Sequence, residues 1–254
     1  MTLPPETLDE ALGHILPTTK EGRRTLIACA LVATWWTGPS QRRLFSSISI
    51  HENNHERWMD DVVLPRSSPH LLEHVRTLNY RRGSPIIARY PIRDLTRDSG
   101  EYLSGLRNLR SLTLSNVRLE HIGEDGFRTC FSAFRETLTD LFLENFATSF
   151  SAFATLVDYF PNIRTLRLHL SVLEPDGRPA PSLSRPLRGK IHFDCVQDDS
   201  FEFSNQFSKL DLEYEELVVA SSIRFVETRN LQSALQISAS TVKVLRLMVE
   251  SRGE

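Results

Sequence analysis

The sequence predicts an α/β fold in which a short helical region precedes a series of strand–helix repeats. Two observations lead to this prediction. A leucine-rich pattern recurs through residues 75–247, whereas the first 45 residues carry apolar side chains at helical spacing. The composition agrees, since 254 residues with 40% hydrophobic and 24% charged side chains suffice for a sizeable core.

The repeat is clearest in the segment Leu109-Arg-Ser-Leu112-Thr-Leu114-Ser-Asn116. Leu112 and Leu114 alternate with polar residues, as in a short strand with one apolar face. Leu109 leads into that strand, and Asn116 is suited to bond the backbone of the next turn. Because so short a strand is unstable alone, we expect neighbouring copies of it.

The pattern has seven central apolar positions, separated by steps of 34, 29, 25, 25, 26 and 28 residues: Leu78, Leu112, Leu141, Leu166, Ile191, Leu217 and Leu245. These steps overlap the period of leucine-rich repeats, roughly 20 to 29 residues. Between centres, residues 131–138 and 153–160 carry apolar side chains three and four apart, which predicts helices. Residues 72–254 are therefore predicted to form a solenoid with parallel strands on its concave face and helices behind. An ordinary α/β domain with leucine-rich strands is the alternative.

Residues 1–46 are predicted to form a separate helical domain. Pro5 and the nearby carboxylates favour the start of a first helix, whose apolar face contains Leu8 and Leu12. Thr18 or Thr19 is suited to cap a second helix from about residue 20 to residue 36. Gly38-Pro39-Ser40 predicts a stop and a short third helix through Phe45. Three such helices bury little surface, so the remaining apolar side chains need a partner.

Four segments of this helical domain resemble an F-box in their order and spacing: Leu3-Pro4-Pro5-Glu6-Thr7-Leu8, Ile15-Leu16, Cys29-Ala30-Leu31-Val32-Ala33-Thr34-Trp35 and Arg42-Arg43-Leu44-Phe45. The whole chain is similar to fungal proteins in which an F-box precedes degenerate leucine-rich repeats. The resemblance implies that the helices bind the Skp-type adaptor of a cullin-RING (SCF-type) ubiquitin ligase and that the repeats bind a target protein. It implies these adaptor-binding residues: Leu3, Pro4, Glu6, Leu8, Ile15, Leu31, Val32 and Trp35.

The residues themselves agree with that implication, because a helical hairpin with surplus apolar surface and a Trp anchor suits a helix-in-groove interface. Two positions depart from the family pattern. Ala11 stands where a larger aliphatic side chain is usual, and Gly13 in the first helix costs up to about 1 kcal/mol relative to Ala. The alternative is that this apolar surface caps the open end of the solenoid.

Residues 47–71 are predicted to link the two domains through a strand and a helix. Residues 46–50 alternate like a strand and are suited to form a first, short repeat. His51-Glu52-Asn53-Asn54-His55 matches the His-Glu-x-x-His zinc-protease motif, which functions only on a stable helix. The Asn pair is a poor helix interior and no third ligand follows in the usual place, so we expect a surface helix over residues 52–63 and no metal site.

A target-binding site is predicted on the middle repeats. Side chains next to each central apolar position point to the opposite face of the strand. On the middle repeats these include Phe142, Arg167, His169 and His192. An exposed aromatic side chain beside cationic donors is typical of a binding hot spot. The alternative is that a loop covers Phe142 and that the other three are ordinary surface residues.

Other classes of function receive little support from the sequence. Cys29, Cys130 and Cys195 are odd in number and far apart, which favours reduced thiols over a disulfide framework. The amino terminus lacks a basic signal region, and the longest apolar run, residues 26–36, is too short to cross a bilayer, so a cytoplasmic or nuclear location is expected. No phosphate-binding or nucleophile motif occurs, so we predict no catalytic residues and no cofactor. An enzyme with the proline-rich loop 174–189 as a lid is a remote alternative.

The formal net charge of −2 does not favour binding to nucleic acid. Residues 71–119 contain nine Arg against four acidic residues, but they lack the interleaved aromatic side chains of a base-stacking platform.

The predicted function is therefore a non-catalytic substrate-recognition adaptor of a ubiquitin ligase. The alternative is a repeat scaffold with a vestigial F-box. No recognisable cap follows the last repeat, which predicts self-association there or a chain shorter than its relatives.

Overall fold

The computed structural model describes residues 4–51, 69–81, 93–94, 103–119, 122–169, 172–174, 183–194, 212–222 and 242–250. Its helices are α1 (Pro5–Gly13), α2 (Lys20–Val32), α3 (Thr34–Phe45), α4 (Pro69–Leu72), α5 (Gly123–Phe131) and α6 (Phe150–Tyr159), with a 3-10 turn at Ser132–Phe134. Its strands are β1 (Ser47–His51), β2 (Thr77–Arg81), β3 (Arg93–Asp94), β4 (Ser111–Ser115), β5 (Val117–Arg118), β6 (Asp140–Glu144), β7 (Ala147–Ser149), β8 (Thr165–His169), β9 (Val172–Glu174), β10 (Leu187–Asp194), β11 (Leu212–Ser222) and β12 (Val244–Glu250).

Eight of these strands form one parallel sheet in the order β1-β2-β4-β6-β8-β10-β11-β12. All seven predicted centres lie on one line across it, because each centre pairs directly with the next: Leu78, Leu112, Leu141, Leu166, Ile191, Leu217 and Leu245. Ile48 of β1 extends the line at one edge by pairing with Leu78, so the predicted first repeat is a strand of the same sheet. The predicted α/β fold with a parallel sheet is confirmed.

The inner face of the sheet carries the five central residues from Leu78 to Ile191, which are buried and pack on aromatic side chains from the connecting segments. Phe131, Phe134 and Phe160 are fully buried there. The Phe134 and Phe160 rings stack with centroids 5.9 Å apart, and Phe131 meets Phe160 edge-to-face at 5.6 Å. Aromatic pairs of this kind add to the stabilisation from burial alone. One connected core therefore extends from β1 to β11.

Of the two predicted connecting helices, one is confirmed and one is wrong. The helix predicted at residues 153–160 is confirmed as α6, which the Ser149 hydroxyl caps by accepting a bond from the Ala152 N–H. The helix predicted at residues 131–138 is wrong, because α5 ends at Phe131 and only a 3-10 turn follows. Thr137 then bonds the preceding repeat instead of extending a helix, since its hydroxyl donates to the Leu109 carbonyl at 2.7 Å.

A second parallel sheet, β3-β5-β7-β9, follows the large sheet along the repeats. Asn116 and Asn145 connect the two sheets and have positive φ angles of 59° and 45°, which Asn tolerates better than most residues. The Asn116 main-chain N–H donates to the Glu144 carbonyl, and the Asn145 main-chain N–H donates to the His169 carbonyl. The Asn145 side-chain amide also donates to the Asn116 side-chain oxygen at 2.6 Å.

The helical region differs from its prediction at one boundary. α1 begins at Pro5, and Thr19 caps α2, both as predicted. α2 nevertheless ends at Val32, and α3 continues through Pro39 where a stop was predicted. An extended Ala33 makes the turn between them, and the Thr37 hydroxyl satisfies a terminal carbonyl of α2 by donating to Ala30 at 3.0 Å.

Several of the remaining predictions fall on segments that the structure describes only in part. The predicted loop 174–189 is shorter than expected, because Glu174 ends β9 and β10 already begins at Leu187; residues 175–182 lie outside the described residues. The helix predicted at residues 52–63 and Cys195 also lie outside them. Burial raises the pKa of the Cys130 thiol to about 12, so this residue behaves as a protonated core side chain. No helix in the described part of the chain is long and apolar enough to span a bilayer.

We expect Leu112→Ala to lower the free energy of unfolding by about 2 to 5 kcal/mol, because the side chain is fully buried in the line of centres. Thr113→Ala is the matched control on the other face of β4, and its effect should stay within about 0.5 kcal/mol. Urea unfolding of both variants measures the difference. Equal losses in the two variants would contradict the assignment of inner and outer faces.

Candidate functional site

The outer face of the eight-stranded sheet carries the predicted target-binding residues. β-strand alternation places Thr113, Phe142, Arg167 and His192 on this face, and the register pairs each of them directly with the next. His169 lies two residues beyond Arg167 and pairs with Glu144 of β6. The structure therefore brings Phe142, Arg167 and His192 together in one row, with His169 in the adjacent row.

A groove of about 320 Å³ occupies the middle of the outer face. It is lined by Thr113, Phe142, Leu143, Glu144, Arg167 and His169. Phe142 is half-buried and Arg167 is exposed, so the groove offers an aromatic surface beside a guanidinium group. His192 is half-buried next to Arg167 but does not line the groove.

Glu144 is a residue of this groove that the sequence analysis did not assign to the site. Its carboxylate accepts a 2.7 Å bond from the Ser115 hydroxyl and a 3.0 Å bond from the Arg81 guanidinium. Burial raises the pKa of Glu144, but the bonds from Ser115 and Arg81 and the charges of Arg81 and His169 outweigh it and lower the pKa overall. The carboxylate is therefore ionised at neutral pH and tied to β2 and β4.

A second charged cluster lies further along the outer face, around Glu216 of β11. The Glu216 carboxylate bonds Lys190 of β10 at 2.6 Å and Arg246 of β12 at 3.1 Å. The hydrogen bond from Lys190, together with the nearby positive charges, lowers the pKa of Glu216. Burial and the charge of Arg167 lower the pKa of His192, which is therefore neutral at pH 7.

The helical region carries a second candidate surface, made of exposed apolar side chains. Leu31 is 81% exposed, Val32 71% and Trp35 40%. Leu16 and Ile27, which the sequence analysis did not single out for binding, are exposed too. The five residues Leu16, Ile27, Leu31, Val32 and Trp35 are called the apolar patch below. Apolar side chains of this size on a small helical unit are typical of an interaction surface.

The other predicted adaptor-binding residues are distributed differently. Pro4 and Glu6 are exposed, and Leu3 lies outside the described residues. Leu8 is only 1% exposed and forms the core of the helical region with Leu12 and Leu26. Ile15 is half-buried against the same core. Leu8 thus packs inside the helical region, where α3 lies against α1 and Leu26 of α2 joins the same cluster.

Within the described residues, no group of three or more His, Cys, Asp or Glu side chains could hold a metal ion. Of the His-Glu-x-x-His match, only His51 is described, where it ends β1. The chain matches no known protein-family model, and no curated protein matches it significantly.

We expect Glu144→Gln to lower the free energy of unfolding at pH 7 by about 1 kcal/mol or less, since a partly exposed ion pair is screened by solvent. The folded-state pKa of Glu144 is lowered, so its contribution is complete above the unfolded pKa of about 4.3 and disappears as the pH falls through the folded pKa. Urea unfolding of wild type and variant at pH 7 and at about pH 3 tests this. The difference in stability between them should be smaller at the lower pH.

Glu136→Gln provides a matched control, because the Glu136 side chain is 67% exposed and 3.5 Å from Arg135. It should leave stability unchanged at both pH values. A Glu144→Gln effect that persists undiminished in acid would contradict the charge-based account of this network.

Proposed function

We propose that the chain is a non-catalytic substrate-recognition adaptor of a cullin-RING (SCF-type) ubiquitin ligase. In this proposal α1, α2 and α3 form an F-box that binds a Skp-type adaptor. The strand repeats form a leucine-rich-repeat solenoid that binds a target protein. One observation carries the proposal: Leu31, Val32 and Trp35 are exposed on helices that have a separate core of their own.

The apolar patch suits docking because its backbone is already ordered. α2 and α3 meet at Ala33, and the bond from Thr37 to the Ala30 carbonyl closes the junction. Trp35 and Trp36 contact edge-to-face with ring centroids 5.5 Å apart. Burial of these side chains by a partner gains about 25 cal/mol for each Å² of apolar surface, and the ordered helices reduce one of the costs that oppose association.

The sheet topology supports the repeat part of the proposal. A doubly wound sheet reverses its strand order at a switch point, where ligands usually bind. Here the strands of the large sheet follow one another strictly in chain order. The paired Asn116 and Asn145 side chains also occupy equivalent positions in consecutive repeats. Both features are typical of stacked repeats.

The alternative use of the apolar patch as a cap for the repeats has less support. The first strand, β1, already buries Ile48 and Ile50, which are 8% and 1% exposed, and half-buried Phe45 packs against their cluster. Leu31 and Val32 remain exposed in the same structure. A cap that relied on them would have buried them.

The double variant Leu31→Asp, Trp35→Ala should lose binding to a Skp-type adaptor in a pull-down with the full chain. Two large exposed contacts are removed, and a buried charge is costly in an apolar interface. Circular dichroism should be unchanged, because neither side chain belongs to the helical core. Val244→Asp inserts a charge at an exposed apolar position of β12 and should retain binding.

Loss of binding in the double variant, with its fold and the Val244→Asp control intact, is the expected result. Absence of adaptor binding by the wild-type chain would reject the ligase role. In that case, a repeat scaffold with a vestigial F-box remains as the function.

A further inference from the structure

We propose that two copies of this chain associate through the side of β12 that faces away from β11, called the β12 edge below. The two β12 strands pair antiparallel about a two-fold axis at residue 248. This inference does not depend on the proposed function, because the β12 edge belongs neither to the apolar patch nor to the groove. It specifies the surface and the register of the self-association predicted for the last repeat.

The β12 edge has no partner strand in the part of the chain that the structure describes. β12 is the last strand in the order of the large sheet, and all seven of its residues pair with β11. No other described strand pairs with it. A strand in this position presents a row of backbone N–H and C=O groups, which form a ready template for pairing with another chain.

The β12 edge also lacks most of the features by which sheets prevent such pairing. Those features include short edge strands, proline, bulges and a covering helix. β12 has seven residues without proline, and its register with β11 contains no shift. β1, at the other edge of the sheet, has five residues and is contacted by α3. Of the two edges, β12 is therefore the one suited to association.

The sequence of β12 is self-complementary in one register. A two-fold axis perpendicular to the sheet pairs the strand with its copy in the antiparallel direction. Directly opposed residues share a face of the sheet, so the axis must pass through a residue. The two charged residues of β12 are Arg246 and Glu250. An axis through residue 248 places Arg246 of each copy opposite Glu250 of the other, and opposed charges of opposite sign stabilise a strand pair.

Other ways of pairing are less favourable. An axis through residue 246 places Arg246 opposite its own copy, and like charges directly opposite one another are destabilising. An axis through residue 247 places Arg246 opposite Met248, so the two charged positions do not meet. A head-to-tail contact between β12 and the β1 strand of another copy gives rings or filaments instead of a dimer. The two-fold arrangement at residue 248 therefore fits β12 best.

Arg246 can make the new contact without losing its bond within the chain. Its side chain is 64% exposed, and its Nε donates to the Glu216 carboxylate at 3.1 Å. A guanidinium group carries five N–H donors, so the others can bond a second carboxylate. The paired edges would join the outer faces of the two copies into one continuous surface, because the axis is perpendicular to the sheet.

Sedimentation velocity of the full chain over a series of concentrations measures the association. We expect a reversible equilibrium between monomer and dimer. Glu250→Arg should raise the dimer dissociation constant by about tenfold, because it places Arg opposite Arg at two symmetric positions. Glu213→Arg is the matched control, since it makes the same charge change on β11, away from the β12 edge. It should dimerise like wild type.

Cysteine substitutions test the register. In the proposed dimer the two copies of residue 248 have their Cβ atoms about 5 Å apart. The two copies of residue 244 are roughly 27 Å apart, because eight residues of extended strand separate them. A short bifunctional thiol reagent should therefore link Met248→Cys into a covalent dimer. Val244→Cys should stay at the background of wild type, which has three cysteines of its own. Circular dichroism checks that both variants are folded.

A wild-type chain that stays monomeric at every concentration would overturn the inference. Species larger than a dimer would also overturn it, in favour of head-to-tail pairing with β1. Equal crosslinking of the two cysteine variants, or unchanged dimerisation of Glu250→Arg, would reject the register about residue 248. The Glu250→Arg measurement decides the register even where a cysteine variant fails to fold. If the chain binds a Skp-type adaptor but does not dimerise, only this inference is rejected.

Discussion

The alignment of one central apolar residue per repeat is the constraint on which the rest of the structure depends. A five-residue strand such as β4 has too few bonds and too little apolar surface to be stable alone. Pairing Leu112 with Leu78 on one side and Leu141 on the other buries all three. Because side chains alternate along a strand, a slip of one residue would expose every centre at once. The same register therefore fixes which side chains reach the outer face.

Polar groups on the outer face then connect strands that are distant in sequence. Glu144 joins β6 to β2 and β4 through Arg81 and Ser115, and Glu216 joins β11 to β10 and β12. The row from Phe142 to His192 lies between these two clusters. The ion pairs of both clusters are partly exposed and add little stability of their own. The backbone pairing of the parallel strands instead places the side chains between the clusters on one regular surface.

Much of this arrangement was predictable, because it depends on periodicity. The positions of the seven centres alone placed Phe142 beside Arg167 and Arg167 beside His192. The pairing of Glu144 with Arg81 was not predictable, since the two are 63 residues apart and their contact depends on side-chain conformation across three strands. The junction of α2 and α3 was missed for a related reason. Ala33 is extended, and the Thr37 hydroxyl bonds the Ala30 carbonyl across the junction, a contact that local propensity does not specify.

The helical region has a small core of its own, in contrast to the extended core of the sheet. Three leucines, Leu8, Leu12 and Leu26, are buried in this small core, and four partly buried apolar side chains pack against them. Arg43 adds bonds to the Gly13 and Ile15 carbonyls at the end of α1, whereas the Arg42–Asp9 pair is half-exposed and contributes little. Any ligand that bound the apolar patch only in the folded state would stabilise this unit, because such binding shifts the folding equilibrium. Folding of these helices and occupancy of their exposed surface are therefore thermodynamically linked.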